Sequence, residues 1–184
     1  MNPDLNLFYP LSEFYEQLSL PLPEVTQVEG QDVPEPYRSL LVHQRDMTPT
    51  LVAAYGRHIH LRLLRKNLRK DVYARQIVLE VDGSGEPVVF GAIKIYLEFF
   101  PQAARKLVLE GIEPLGAILE SEKIEHSSRP YAYLQVHSDA MMNREFGLSG
   151  THLLYGRRNA LWNASGDALA RVVEILPPQS RSGD

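Results

Sequence analysis

The sequence contains no cysteine. Disulfides, thiolate metal ligands and a cysteine nucleophile are therefore excluded. It also has no excess of positive charge, since 19 lysine and arginine residues stand against 23 aspartate and glutamate residues, for a formal net charge of −4. Proteins that bind nucleic acid usually show a clear basic excess, so we do not expect nucleic acid as a partner.

Long hydrophobic runs are also missing. No stretch approaches the ~18 consecutive apolar residues that indicate a transmembrane helix. The first residues, MNPDLNLFYPLSEF, have neither the basic start nor the apolar core of a signal peptide. We therefore expect a cytoplasmic protein without a membrane span. A chain of 184 residues with 44% hydrophobic content can bury a core as one domain.

The common catalytic and cofactor motifs are absent: the sequence has no P-loop, G-x-G-x-x-G, G-x-S-x-G or H-E-x-x-H. His58 and His60 would share one strand face, but no third ligand can be identified, and a solvated strand face is favoured over a metal site. Two adjacent arginines, Arg157 and Arg158, must point to opposite strand faces. Surface pairing with nearby acidic residues is favoured for at least one of them.

Apolar periodicity predicts an α+β domain: an antiparallel sheet of about six strands with helices on one side. A helix is expected after Thr48 as N-cap, with Pro49 in its first turn. Two helical segments between Pro101 and Ser121 form a helix-loop-helix insertion that could act as a flap. We expect residues 1–39 to be an arm packing on the domain, residues 40–178 to be the domain, and residues 179–184 to be a flexible tail.

Two predicted strands each place one ionisable residue on an otherwise apolar face. In VYARQIVLEV, from Val72 to Val81, Arg75 shares its parity with apolar residues. In ALARVVEILP, from Ala168 to Pro177, Glu174 is the corresponding exception. Two interpretations are open: Arg75 and Glu174 form a structural ion pair with each other, or they are functional residues. The opposite parity of each strand is also largely apolar, so both faces of the sheet could be covered.

Four segments in the order LLVHQRDMTPTL, VYARQIVLEVDG, IEPLGAIL and LYGRRNALWNASGDALARVVEILP resemble the chorismate pyruvate-lyase (4-hydroxybenzoate synthase) family. The match runs from about Leu40 to Pro178. The resemblance implies an antiparallel sheet with flaps over an enclosed pocket. It also implies a carbon–oxygen lyase of quinone biosynthesis, which eliminates pyruvate from chorismate to give 4-hydroxybenzoate without a metal or other cofactor.

The resemblance also implies a set of site residues. Arg75 would bind the ring carboxylate of the substrate, helped by the backbone N–H groups of Met47 and Leu115. Glu174 would lie at the far end of the pocket, accept a hydrogen bond from the product hydroxyl and assist proton movement. Arg75 and Glu174 would thus be the catalytic residues, and all four would bind the substrate.

A second function is compatible with the same residues: a non-catalytic binding domain or sensor for a small aromatic carboxylic acid. A related fold serves as the effector module of transcription regulators. The proline-broken arm before Leu40 is too short to hold a helix-turn-helix, so we would expect such a sensor to be free-standing. In either case we expect a monomer or a small homo-oligomer.

Overall fold

The computed structural model describes residues 6–179, which form a single seven-stranded sheet. The strands lie in the order β1-β5-β6-β7-β4-β3-β2, and every neighbouring pair is antiparallel. Their bounds are Val25–Val28 (β1), Ile59–Arg69 (β2), Val72–Val81 (β3), Pro87–Tyr96 (β4), Ser127–His137 (β5), Leu153–Trp162 (β6) and Ala168–Leu176 (β7).

Within the part of the chain that the structure describes, six α-helices cover the two faces of this sheet. Their bounds are Leu11–Gln17 (α1), Tyr37–Leu41 (α2), Met47–Tyr55 (α3), Gln102–Glu110 (α4), Leu115–Ser121 (α5) and Ala140–Phe146 (α6). Helices α1 and α6 pack against one face of the sheet, in a cluster that includes Phe14, Phe90 and Phe146. Helices α2 to α5 pack on the other face, where Leu51 and Ile118 are fully buried. Two apolar layers therefore enclose the central strands.

The predicted class, an antiparallel α+β fold of the chorismate lyase type, is confirmed, with two additions. The seventh strand is β1, which pairs with β5 at the edge of the sheet and lies between prolines that concealed it in the sequence. Helices also occur on both faces, because α1 and α6 occupy the second one. This second layer explains why nearly all of β3 is buried in both parities.

Local boundaries differ from the prediction at two places. The N-cap of α3 is Asp46, not Thr48, so Thr48 lies inside the first turn. Alternation from His58 to Arg65 predicts a strand followed by a turn through residues 66–71, but β2 continues to Arg69 and the chain turns at Lys70, which has a positive φ of 53°. The predicted flap is present as α4 and α5, which contact each other.

The segment before residue 40 takes part in the core through α1 and in the sheet through β1. The division of the chain at residue 40 remains a prediction, and residues 180–184 of the expected tail lie outside the described residues. Within residues 6–179, no helix is long and apolar enough to cross a membrane.

Candidate functional site

A cavity of about 70 Å³ lies between the sheet and helices α3 and α5. One enclosed water needs only ~15 Å³, so this space can hold a small molecule or several waters. Its walls are mostly apolar, and they include Leu61, Ile77, Leu79, Val89, Ile93 and Leu161. Its polar lining comes from Asp46, Thr48, Arg75, Asn159 and Glu174. The cavity is therefore an apolar chamber with a few polar groups in defined places.

The structure brings all four residues of the predicted site to this one cavity. Arg75 reaches it from β3 and Glu174 from β7. Met47 and Leu115 are the first residues of α3 and α5, the two helices that close the cavity over the sheet. Segments far apart in sequence thus meet at a common space, as the family resemblance implies.

The strand register sets the spacing of the polar groups along the cavity floor. Arg75, Ile93, Val172 and Asn159 occupy one row across β3, β4, β7 and β6. With neighbouring strands ~4.8 Å apart, the Cα atoms of Arg75 and Asn159 are about 14 Å apart. Glu174 lies one row away, on the strand next to Asn159. Arg75 thus marks one end of the cavity, and Asn159 and Glu174 mark the other.

Arg75 is the most unusual group in the cavity, since its side chain is 1% exposed and lacks a carboxylate partner among residues 6–179. Its Nη2 donates to the Glu113 carbonyl at 2.9 Å. Its Nε and Nη1 have no hydrogen-bond acceptor within the described residues. Burial lowers the pKa of this guanidinium to about 10. A buried cation with two unused donors would be stabilised by an anion bound beside it.

Glu174 does not pair with Arg75, so the interpretation of a structural ion pair between these two residues is wrong. Its Oε2 accepts a hydrogen bond from Nε of Arg157 at 2.7 Å. The two residues are direct neighbours across β6 and β7. Glu174 therefore has its own cation, and the charge of Arg75 is left for another partner.

Both adjacent arginines of β6 are buried, with Arg157 at 0% and Arg158 at 1% exposure, so the surface position expected for at least one of them is wrong. The reason is that helices cover both faces of the sheet. Arg157 also donates to the Leu41 carbonyl at 3.3 Å and to the Arg45 carbonyl at 3.2 Å. It thus ties Glu174 to the segment that leads into α3.

Sequence reasoning missed Asn159, which has the same parity as Arg157 and is 2% exposed. Its Nδ2 donates to Oγ of Ser128 at 2.8 Å. Alternation along β6 was the available signal, because a polar residue two positions after a buried arginine shares its face.

A second missed feature is the pair formed by Asp46 and His126. Nε2 of His126 lies 2.6 Å from Oδ2 of Asp46, and Nδ1 lies 2.9 Å from the Ile124 carbonyl. Asp46 lines the cavity, whereas His126 lines an adjoining surface cleft. The hydrogen bond to Asp46 raises the pKa of His126. This pair connects the start of α3 to the segment before β5.

This pair predicts a pH dependence of stability. Because the pKa of His126 is raised in the folded state, its contribution is complete below the ordinary value near 6.5 and is lost as pH rises through the raised pKa. Wild type should lose up to about 1 kcal/mol of unfolding free energy through this group between about pH 6 and pH 8. Urea unfolding of wild type and His126→Gln at both pH values checks this. Equal pH dependence in the two proteins would contradict it.

His58 and His60 do not form a metal site in the described part of the chain. His60 instead lies between two carboxylates, with Nδ1 2.6 Å from Asp82 and Nε2 3.1 Å from Glu80. Within residues 6–179, no group of three or more His, Asp or Glu side chains is placed to hold a metal ion.

No family model matches the sequence, and no curated protein does. Solved structures do share the fold. The effector domain of PhnF from Mycobacterium smegmatis aligns with a TM-score of 0.54 and 15% identity, over 71% of this chain and 87% of that one. The gene product SA0254 from Staphylococcus aureus gives 0.53 and 10%, over 68% and 86%. The possible transcriptional regulator YydK from Bacillus subtilis gives 0.51 and 9%, over 67% and 64%.

The chain thus has the fold of effector domains from transcriptional regulators, and the resemblance to the chorismate pyruvate-lyase family holds at the level of the fold. The expectation of a carbon–oxygen lyase of quinone biosynthesis is wrong. The finding that overturns it is that, of the similar structures named above, PhnF is described by its effector domain and YydK as a possible transcriptional regulator, and neither is described as a lyase. Proteins that share a fold need not share an activity, so the family resemblance supports the fold and not the lyase activity.

Proposed function

We propose that this chain is a non-catalytic domain that binds a small aromatic carboxylate in the cavity under α3 and α5. The observation that carries the proposal is the buried guanidinium of Arg75, with two donors that no described residue uses. A cation kept in an apolar cavity destabilises the free protein. A ligand carboxylate would accept from one of these nitrogens and neutralise the charge.

A helix start in the wall of the cavity also supports an anion in this space. Asp46, Met47 and Thr48 begin α3 and line the cavity. The first N–H groups of a helix lack intrahelical acceptors, and the helix dipole favours negative charge there. Met47 and Leu115 would add backbone donors to the carboxylate site, as the resemblance implies.

The remaining walls support a flat apolar body for the ligand. Ile93 and Val172 form the floor between Arg75 and the far end, and Leu61, Leu79 and Leu161 contribute the sides. Apolar pockets with few convergent polar groups are typical small-molecule sites. A single aromatic ring would span this space, with its carboxylate at Arg75 and its opposite edge near Glu174.

Binding without turnover also agrees with the contacts of Glu174. Its carboxylate is bonded to Arg157, which in turn holds backbone carbonyls before α3. Such a group is a fixed hydrogen-bond acceptor for a ligand. The proposed role is that of a sensor, in the manner of the effector domain whose fold it shares.

Calorimetric titration with benzoate and 4-hydroxybenzoate tests this proposal. We expect one site per chain, with the ligand recovered unchanged after long incubation. Arg75→Met should weaken binding by about 30-fold or more, because a buried charge-assisted pair is lost. Arg129→Met, which removes an exposed arginine from β5, is the matched control and should bind as wild type. Equal binding by Arg75→Met and wild type would contradict the proposal.

A further inference from the structure

The far end of the cavity contains two hydrogen-bond acceptors on neighbouring strands. One is the carboxylate of Glu174 on β7, and the other is the side-chain carbonyl of Asn159 on β6. Asn159 lies opposite Val172, two residues before Glu174, so the two side chains are diagonal neighbours on one face of the sheet. Together they determine which hydrogen-bonding groups a ligand must carry at the end away from Arg75.

Asn159 is fixed in orientation and has an unused acceptor. Its Nδ2 is occupied by the donation to Ser128 Oγ. Its Oδ1 is buried and has no donor within residues 6–179. A buried carbonyl without a donor is costly, and a ligand that fills this end of the cavity also keeps water away from it. The ligand itself must then supply an N–H or O–H group to Asn159.

Glu174 makes a separate demand on the ligand. Its Oε2 is used by Arg157, and a carboxylate has further lone pairs that can accept. The guanidinium of Arg157 does not supply the missing donors, because it is directed to Glu174 and to the carbonyls of the segment before α3. One hydroxyl donates one hydrogen bond and cannot serve Glu174 and Asn159 together.

From these contacts we infer that the ligand carries two hydrogen-bond donors at the end opposite its carboxylate, one for Glu174 and one for Asn159. This inference rests on the proposed function and narrows its ligand class. An aromatic acid with adjacent hydroxyl groups at the 3 and 4 positions meets the requirement, since both donors then lie on one edge of the ring. A second carboxylate at this end is excluded, because it would face two acceptors.

The test compares three ligands of similar shape: 4-hydroxybenzoate, 3,4-dihydroxybenzoate and 4-hydroxy-3-methoxybenzoate. The third replaces the second donor by a methyl ether. Calorimetry on wild type should show 3,4-dihydroxybenzoate binding about tenfold more tightly than either analogue, the usual size of one buried hydrogen bond. Asn159→Leu should lose most of that preference. Gln135→Leu, an amide on β5 that does not line the cavity, is the matched control and should keep it.

The outcomes separate this inference from the proposed function. If wild type binds all three ligands with equal affinity, or if Asn159→Leu weakens all three by the same factor, the two-donor requirement is wrong and the carboxylate site stands. If wild type binds none of the acids, the proposed function fails and this inference falls with it. Because each comparison is made between ligands on the same protein, partial loss of stability in a variant does not alter the result.

Discussion

Replacing Arg75 by methionine should make the ligand-free protein more stable. Burial lowers the pKa of this guanidinium from its ordinary value to about 10, and one pKa unit corresponds to ~1.4 kcal/mol. The charged side chain therefore destabilises the folded state by about 3 kcal/mol at neutral pH. Methionine fills similar space without charge. Urea unfolding without ligand should give a free energy of unfolding about 1–3 kcal/mol above that of wild type. Loss of the hydrogen bond to the Glu113 carbonyl offsets part of the gain.

The gain in unfolding free energy on adding ligand separates function from packing. At a concentration 100 times its dissociation constant, the ligand should stabilise wild type by about 2.7 kcal/mol. It should stabilise Arg75→Met by about 0.9 kcal/mol or less, because binding is weakened about 30-fold or more. The exposed control Arg129→Met should stay within about 0.5 kcal/mol of wild type in both conditions. A ligand-free Arg75→Met protein several kcal/mol less stable than wild type would show that Arg75 is a structural group.

Arg157→Leu should have the opposite effect and strongly destabilise the protein. The substitution leaves the Glu174 carboxylate, whose side chain is 12% exposed, without its cation. It also removes the donors to the Leu41 and Arg45 carbonyls. Breaking a buried ion pair from one side typically costs about 3–5 kcal/mol. Urea unfolding at neutral pH measures this loss directly.

The double variant Arg157→Leu/Glu174→Leu is the control for this interpretation. Removing both charges eliminates the unpaired carboxylate, so the double variant should be about 1–3 kcal/mol more stable than Arg157→Leu alone. It should remain below wild type, because the carbonyls before α3 are still without their donor. If the loss of unfolding free energy in the double variant equals the sum of the losses in Arg157→Leu and Glu174→Leu measured separately, Arg157 and Glu174 do not act as a pair.

Alternation along the strands was sufficient to find Arg75 and Glu174, but not the partner of Glu174. The turn residues from Asn163 to Asp167 predict the β6–β7 hairpin. Counting back from Trp162 opposite Ala168 places Arg157 opposite Val173. The structure has an irregularity between Leu161 and Trp162 that shifts the register by one residue, so Arg157 lies opposite Glu174. A shift of one residue moves every side chain to the other face. Sequence patterns seldom reveal such a bulge.

The helix layers and strand β1 could also be predicted only in part from the sequence. The strong apolar content of both parities in β3 indicated that two faces could be covered, and α1 and α6 do cover the second face. Strand β1 has only four residues, none of them fully buried, so it gave no alternation to detect. Its place in the sheet depends on pairing with β5, more than a hundred residues away.

The expectation of enzymatic activity failed for a different reason. The residues that could bind a substrate also suffice to bind a ligand, and nothing in the pattern around Arg75 distinguishes the two. Glu174 was assigned a part in proton movement from the resemblance alone. Its bond to Arg157, which the sequence did not reveal, makes it a fixed acceptor within a structural network.

A crystal structure of the protein with a saturating hydroxybenzoate tests the proposed binding mode most directly. We predict a ligand carboxylate oxygen at about 2.7–2.9 Å from Nε or Nη1 of Arg75, the spacing of charge-assisted hydrogen bonds. The ring should lie on Ile93 and Val172, with its opposite edge toward Glu174. A ligand bound elsewhere on the protein, or one bound in the cavity with its carboxylate away from Arg75, would contradict this binding mode.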